Sequence, residues 1–387
     1  MHLVCVTTSR ADYSHLRLPL LTLAKCPGLK LSVVATAAHL SPQFGNSATE
    51  IERDGFSVFA VPCLLAGDDD QSIATSIGLA TIGMAQAFAQ LQPDVVMLIA
   101  DRYELMAPAT AAMAMRIPII HLEGGEVSEG AVDDCVRNAL TKMAHIHLTP
   151  HLQARNRVLA MGEESWRVHV VGAPSLDHLS RFKLMEKSAL ENVLGARLDP
   201  APILVAYHPV TLDDDPAQES RIFFEALEAI NQPVWFCFPN ADHRHQQLIQ
   251  SARSFSSARH HSHIFVNLNP HTYFSLLGHA QVLLGNSSSG IMEAASFDLP
   301  CVNVGRRQQG RLKAPNVIDC PAEKDAILIA VKKAMSAGFR HRIKGLVNPY
   351  GDGTASERIA EIVQNLPDRA ALLHKKSLHP PTDCWRA

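Results

Sequence analysis

A chain of 387 residues is long enough to bury two cores of ordinary size, and its 47% hydrophobic and 19% charged content is that of a soluble globular protein. The 35 lysines and arginines nearly balance 38 aspartates and glutamates, so no net field favours a nucleic acid or a membrane, and a small-molecule ligand is expected. The eight cysteines are scattered without a CxxC pair, which points to reduced thiols and away from a zinc site or a disulfide frame. No leader-like segment precedes the first strand-like run and no apolar run approaches membrane length, so a cytoplasmic protein is expected.

Short apolar runs alternate with helix-length amphipathic segments from the first residues onward. Strands are expected at 4–7, 31–36, 57–61, 95–100, 118–122, 146–148 and 168–171, with helices at 16–23, 72–91, 105–115 and 134–144 between them. A polar, helical-looking stretch at 177–202 reads as a linker. A second series has strands at 203–207, 234–238, 264–266, 282–284 and 301–304, and helices near 217–230, 270–279, 288–297 and 322–336. The turn-rich NPYGDG at 348–353 precedes one more amphipathic helix at 355–365. Each βα series implies a parallel sheet covered on both faces. The expected fold class is therefore α/β, with two Rossmann-like doubly wound domains, 1–176 and 203–352, facing across a cleft. Ligands of such sheets bind at the carboxyl ends of the strands, so the residues just after each strand carry the functional information.

After the first strand comes TTSRADY at 7–13, ahead of a helix expected to start near His15. A hydroxyl-rich turn with Arg10 at a helix N-terminus suits an anion, and equally an ordinary N-cap with a surface arginine. Asp101, Arg102 and Glu104 follow the strand at 95–100, as ligands or as a salt bridge that pins the next helix. The stretch HLEGGEVSEGAVDDCVRN at 121–138 packs Glu123, Glu126, Glu129, Asp133 and Asp134 among three glycines. Taken alone it is a solvated loop. Next to Asp101 at a neighbouring strand end, Glu123 and the Asp133–Asp134 pair read as grouped carboxylates with raised pKa values, suited to taking a proton from carbon or giving one to oxygen. A hard-cation site is the competing use.

In the second domain His208 is followed by Pro209, which presents the imidazole at the sheet's carboxyl end, and Asn240 follows the next strand. The run GNSSSGIME at 285–293 closes a strand and opens a helix, so backbone amides and the three hydroxyls of Ser287, Ser288 and Ser289 read as a phosphate or pyrophosphate cradle, against the plainer use as a serine-rich N-cap. Neither a Walker loop nor a dinucleotide fingerprint is present. Glu293, about two turns into that helix, suits a ribose diol. Arg306, Arg307 and Arg311 follow the next strand and add positive charge. The histidine-rich stretches at 242–245 and 260–263 lack a partner at ligand spacing, so no metal and no cofactor is expected.

A nucleoside diphosphate pocket in one domain and carboxylates in the other fit two uses. One is a glycosyltransferase with a UDP-sugar donor; the other is chemistry on the sugar itself. The motifs SRADY (9–13), HLSPQFG (39–45), DRYE (101–104), HLEGGE (121–126), Asp133–Asp134, HPVT (208–211), GNSS (285–288) and NPYGDG (348–353) resemble the UDP-N-acetylglucosamine 2-epimerase family from the N-terminus to about residue 365. The Arg-Ala-Asp-Tyr opening resembles its hydrolysing branch. That resemblance implies a glycosyltransferase-B-like fold whose last helix, at 353–366, crosses back to the first domain. It implies loss of the C2 proton with anti elimination of UDP to a glycal, then hydration with inversion at C2, giving N-acetylmannosamine or a 2,4-diacetamido-trideoxymannose for sialic or legionaminic acid-type sugars. By motif, Asp101, Glu123 and Asp133 take the acid/base positions, with His208 assisting phosphate departure. Arg10, Arg102, Asn240, Ser287, Ser288, Glu293 and Arg307 match positions that hold UDP. A sugar nucleotide is the implied partner, and a homodimer or homotetramer the implied assembly.

Overall fold

The computed structural model describes residues 1–42, 46–65, 69–128, 132–208, 216–238, 246–259, 261–266 and 268–376. Two compact units emerge. The first contains 1–126, 132–177 and the segment from Gly351 onward, and the second contains 127–131 and 178–350.

In the first unit the chain runs β1 (His2–Thr7), α1 (Arg10–Leu23), β2 (Lys30–Thr36), α2 (Ala48–Arg53), β3 (Val58–Val61), α3 (Asp70–Leu91), β4 (Val95–Ile99), α4 (Met106–Ala114), β5 (Ile119–Leu122), α5 (Val132–Met143), β6 (Ile146–Thr149), α6 (Leu152–Ala160), β7 (Val168–Val170). Its seven strands are parallel in the order β3-β2-β1-β4-β5-β6-β7. Every residue of β1, β4 and β5 is buried, because helices cover both faces of the sheet. Alternate strand residues feed different cores. Leu3 and Cys5 pack with Leu16 and Leu20 of α1, whereas Val4 and Val6 pack with Met84 and Phe88 of α3.

The strand order reverses between β1 and β4, so the segments after β1, β4 and β5 lie at one topological switch point. Two non-glycine residues end these strands in the left-handed region, Ala100 at φ 60° and Glu123 at φ 62°. Sheet hydrogen bonds hold both, Ala100 N–H to Leu122 O and Glu123 N–H to Leu148 O, at 2.9 and 2.8 Å. Gly125 is required by space, since a Cβ there would stand 2.3 Å from the carbonyl oxygen of Ala154.

The second unit continues with α7 (Asp177–Arg181, its first residue still in the first unit), α8 (Lys187–Leu194), β8 (Ile203–Ala206), α9 (Pro216–Glu228), β9 (Val234–Phe238), α10 (Gln246–Ser257), β10 (His263–Val266), α11 (Pro270–His279), β11 (Val282–Gly285), α12 (Ser289–Met292), β12 (Cys301–Val304), β13 (Val317–Cys320), α13 (Lys324–Met335) and α14 (Ala337–Arg342). Six parallel strands order as β10-β9-β8-β11-β12-β13, with the switch point between β8 and β11. The stretch 178–202 packs into this unit through Leu190, Ala196 and Leu198, which share a core with Trp235 and Leu277. After Tyr350 the chain rejoins the first unit as α15 (Ala355–Gln364) and α16 (Arg369–Leu373). Ile359, Ala360 and Val363 of α15 enter the core lined by α1. Its N-terminus is closed by buried Asp177, which accepts from the N–H groups of Ala355 and Ser356 at 2.8 and 2.6 Å and from the Ser356 hydroxyl.

Three local expectations change. Helix α1 begins at Arg10, not near His15, because Ser9 caps it by accepting from the Asp12 N–H. The expected helix at 288–297 is the four-residue α12 followed by a 3₁₀ turn at Ala294–Phe297, so Glu293 caps the first turn at its C-terminal end instead of lying two turns in. Helix α3 is long and apolar enough to span a membrane by length and composition, because no charged residue falls between 71 and 91. In this fold it packs on α4 and sends Ala80, Met84, Ala87 and Phe88 inward.

Candidate functional site

In the first unit Asp101, Glu123, Glu104 and Glu126 each meet a basic side chain. Asp101, just after β4, accepts from the Arg137 guanidinium, which reaches it from α5 and is itself only 3% exposed. Glu123 receives His15, whose Nδ1 lies 2.8 Å from Oε1. Glu104 holds Arg102 in a two-pronged contact at 2.7 and 3.2 Å. Glu126 contacts Nε2 of His151, and the Nδ1 of that ring accepts from the Ala154 N–H at 3.1 Å to cap α6. With Nδ1 accepting, Nε2 carries the proton and donates to Glu126. Asp133 lies exposed in the first turn of α5, beside Asp134, which accepts from the side chain of Asn138 at 3.3 Å. Asp101, Glu104, Glu123 and Glu126 thus form acid–base pairs, in which a charged or protonatable partner offsets the repulsion between neighbouring acids, while Asp133 and Asp134 stand on the first turn of α5.

Around these pairs the strand ends are tied down by buried polar contacts. Asp12 accepts from the N–H and hydroxyl of Thr8, and burial raises its pKa despite the opposing charge of Arg102 and the Thr8 bonds. His39 bridges Thr7 and Ser47 at 2.9 and 2.8 Å, and burial with the Arg102 charge lowers it to about 4. His121 Nε2 reaches the carbonyl of the left-handed Ala100 at 2.8 Å and is lowered to about 4, chiefly by burial. Arg10, the first residue of α1, pairs with Glu50 of α2 at 3.1 Å and keeps about a third of its side chain exposed.

In the second unit the organising residue is one whose role the sequence did not reveal. Asn286, fully buried, accepts from the His208 N–H at 2.7 Å and donates to the His208 carbonyl at 2.8 Å. Its own carbonyl receives Nη1 of Arg307 at 2.9 Å and the side-chain amide of Gln308 at 2.8 Å. One asparagine therefore ties the end of β8 to the end of β11 and to the loop after β12. The amides of Asn286 and Ser287 donate to Ala206 O at 3.1 and 3.2 Å, and Gly285 (φ 143°) admits that approach because a Cβ there would lie 2.2 Å from the same oxygen. Ser288 stands at the N-terminus of α12, Ser287 Oγ accepts from Ser289 N at 3.4 Å, and Tyr273 donates to Ser289 Oγ at 2.8 Å. Glu293 is buried.

The three arginines after β12 diverge. Arg307 turns to Asn286, and Arg311 donates to Val127 O at 3.0 Å. Arg306 lines a cavity of about 720 Å³ with Glu219, Lys313 and Glu323. Asn240 and the residues 209–215 after His208 lie outside the described residues, as do 242–245 and 260 of the histidine-rich stretches. Among the described residues no three of His, Cys, Asp and Glu are grouped to hold a metal.

The comparisons with known proteins agree with this layout. Residues 22–364 match the family model described as UDP-N-acetylglucosamine 2-epimerase. A Legionella pneumophila protein named UDP-N,N'-diacetylbacillosamine 2-epimerase (hydrolyzing) is 36% identical over 96% of this chain and 98% of its own length. A Campylobacter jejuni GDP/UDP-N,N'-diacetylbacillosamine 2-epimerase (hydrolyzing) is 36% identical over 81% of this chain and 83% of its own. Among solved structures, the Neisseria meningitidis UDP-GlcNAc 2-epimerase bound to UDP-GlcNAc superimposes with a TM-score of 0.80 at 17% identity, covering 95% of this chain and all of that one. The fold is thus of the glycosyltransferase-B type, and the chain belongs to the UDP-N-acetylglucosamine 2-epimerase family.

Proposed function

We propose that this enzyme is a hydrolysing sugar-nucleotide 2-epimerase that acts on the UDP derivative of a 2,4-diacetamido-2,4,6-trideoxy sugar and releases UDP with the free 2-epimeric sugar. The observation that carries this reading is the 36% identity, across nearly the whole of both chains, to the Legionella protein of that name. A meningococcal protein named UDP-N-acetylglucosamine 2-epimerase is 29% identical over 94% of this chain. The same family membership favours epimerisation over transfer to an acceptor. The product is of the mannose configuration used for legionaminic or sialic acid-type sugars, and the substrate class fits a cytoplasmic enzyme.

The chemistry divides into two steps. In the first, the C2–H and C1–O(phosphate) bonds break and a C1=C2 double bond forms; in the second, water oxygen adds to C1 and a proton adds to C2 from the opposite face. Both steps need groups that exchange protons at carbon, and Asp101 and Glu123 at strand ends, with Asp133 on the first turn of α5, supply three carboxylates in the first unit. The Arg137 guanidinium fixes Asp101 in place through a charge-assisted hydrogen bond. In the second unit the loop of Ser287 and Ser288, with Arg307 and His208, suits the departing diphosphate, and Glu293 the ribose diol. No cofactor enters either step.

The enzyme is further proposed to be a homodimer. Leu79 and Ile82 of α3 are 43% and 62% exposed, and Met113 of the adjoining α4 is 56% exposed. With no charge between 71 and 91 this face is complementary to itself, as a two-fold interface requires. Parallel assays of UDP release from UDP-2,4-diacetamido-2,4,6-trideoxyglucose and from UDP-N-acetylglucosamine test the substrate; a kcat/KM favouring the latter would refute the assignment. Ile82→Glu should give a monomer in light scattering, and an unchanged mass would refute the interface.

A further inference from the structure

Glu123 is held more firmly than an ordinary strand-end acid. Its backbone sits at φ 62° with its N–H bonded to Leu148 O at 2.8 Å, which fixes the point from which the carboxylate projects. Only 10% of its side chain is exposed, whereas 26% of the His15 side chain is. His15 Nδ1 meets Glu123 Oε1 at 2.8 Å across 108 residues of sequence, from the first half of α1. A carboxylate that takes up or gives out a proton in each turnover must be reset before the next. One shut away from solvent resets slowly unless a second group of near-neutral pKa, touching both it and water, carries the proton.

We propose that His15 is the proton carrier that resets Glu123. The proton on the Glu123 carboxyl moves to His15 Nδ1 as the ring releases the proton of Nε2 to water, and the reverse transfer reloads the carboxylate when it must act as an acid. Charge and protons balance in both directions, and no co-reactant is needed beyond water. His15 acts through Glu123 and need not touch the sugar. The inference rests on the reading above that Glu123 exchanges protons during epimerisation.

The test uses the full chain with His15→Ala and His15→Gln, following UDP release with and without added imidazole. Glutamine keeps a hydrogen bond to Glu123 but carries no proton. Both variants should lose kcat by about tenfold or more with KM within about twofold, and imidazole should restore the alanine variant saturably while leaving the wild type unchanged. A glutamine variant with wild-type kcat would overturn the inference, showing that the contact only positions Glu123. An alanine variant that is slow but indifferent to imidazole would overturn it as well. Wild-type enzyme that releases no UDP from either sugar nucleotide would refute the epimerase reading itself, whereas normal turnover by both variants would refute only the role of His15.

Discussion

Replacing Asn286 by alanine removes a side chain that ties His208 to the loop after β11. Two hydrogen bonds are lost, at 2.7 and 2.8 Å, and the N–H and carbonyl of His208 are left without that partner. A buried donor or acceptor stripped of its partner costs about 1–3 kcal/mol. His208 is only half-buried, so water recovers part of the loss, and the sum falls at about 2–4 kcal/mol. The carbonyl of Asn286, which holds Arg307 and Gln308, survives the substitution, so damage should centre on the β8 end. For a unit of this size each kcal/mol shifts the melting temperature by about 2–4 °C, and a loss of roughly 4–16 °C is expected by calorimetry. Because His208 would no longer be fixed, kcat should fall by about tenfold or more, with the drop exceeding that expected from a small change in folded fraction at assay temperature. Asn286→Asp sharpens the test: it keeps the acceptor for the His208 N–H but sets a carboxylate oxygen against the His208 carbonyl, and should be at least as damaging as alanine. A melting shift under 2 °C with unchanged turnover in both variants would show that the loop is ordered by its backbone bonds to Ala206 alone, and the reasoning would fail.

Arg137→Ala leaves Asp101 without its guanidinium, and kcat should fall by about a hundredfold while nucleotide affinity, measured by calorimetric titration of UDP, stays within about threefold; equal losses in both would mean that Asp101 binds rather than reacts. His39 and His121, both buried, and half-buried His145 are each lowered to about 4, by desolvation first in every case. Their folded pKa lies below the unfolded one, so the unfolded chain binds more protons between about pH 6.5 and 4 and stability should decline as pH falls through that window. Imidazole NMR titrations should find none of the three protonating near pH 6.5. Glu163 is fully buried; desolvation pushes its pKa up, but His147, Lys142 and Lys375 together bring it down to about 2. The stability it contributes is present above about pH 4.5 and lost toward pH 2, and Glu163→Gln should flatten the melting curve against pH across that lower window. Gly285→Ala forces a Cβ to 2.2 Å from Ala206 O and should yield insoluble protein; a soluble, active variant would show that the β8 end can shift.

The sheets were legible because their strands are buried on both faces and therefore read as unbroken apolar runs; Val234–Phe238 and Cys301–Val304 are found as the sequence suggests. Strand β13 escaped notice because its four residues include the exposed Asp319. The strand-end positions of Asp101, Glu123, His208 and Ser287 follow from local pattern, since a residue after a parallel strand emerges at its carboxyl end whatever the rest of the chain does. Their partners do not. His15 meets Glu123 across 108 residues, Asn286 meets His208 across 78, and Arg137 meets Asp101 across 36. Sequence spacing holds no record of such pairings, which are set by the order of strands and the pitch of the covering helices. The bases that meet Asp101 and Glu123 went unseen for the same reason: they arrive from other elements. For α3, composition without a three-dimensional partner could not tell a core helix with an open apolar face from a run of ordinary loop-flanked helix.

The most direct test of the account is to incubate the purified protein with UDP-2,4-diacetamido-2,4,6-trideoxyglucose in D₂O, without an acceptor, and to record NMR spectra of the products. The account predicts stoichiometric free UDP and a free sugar of inverted C2 configuration carrying deuterium at C2. Intact substrate, or a released sugar that keeps both its C2 proton and its configuration, would contradict it.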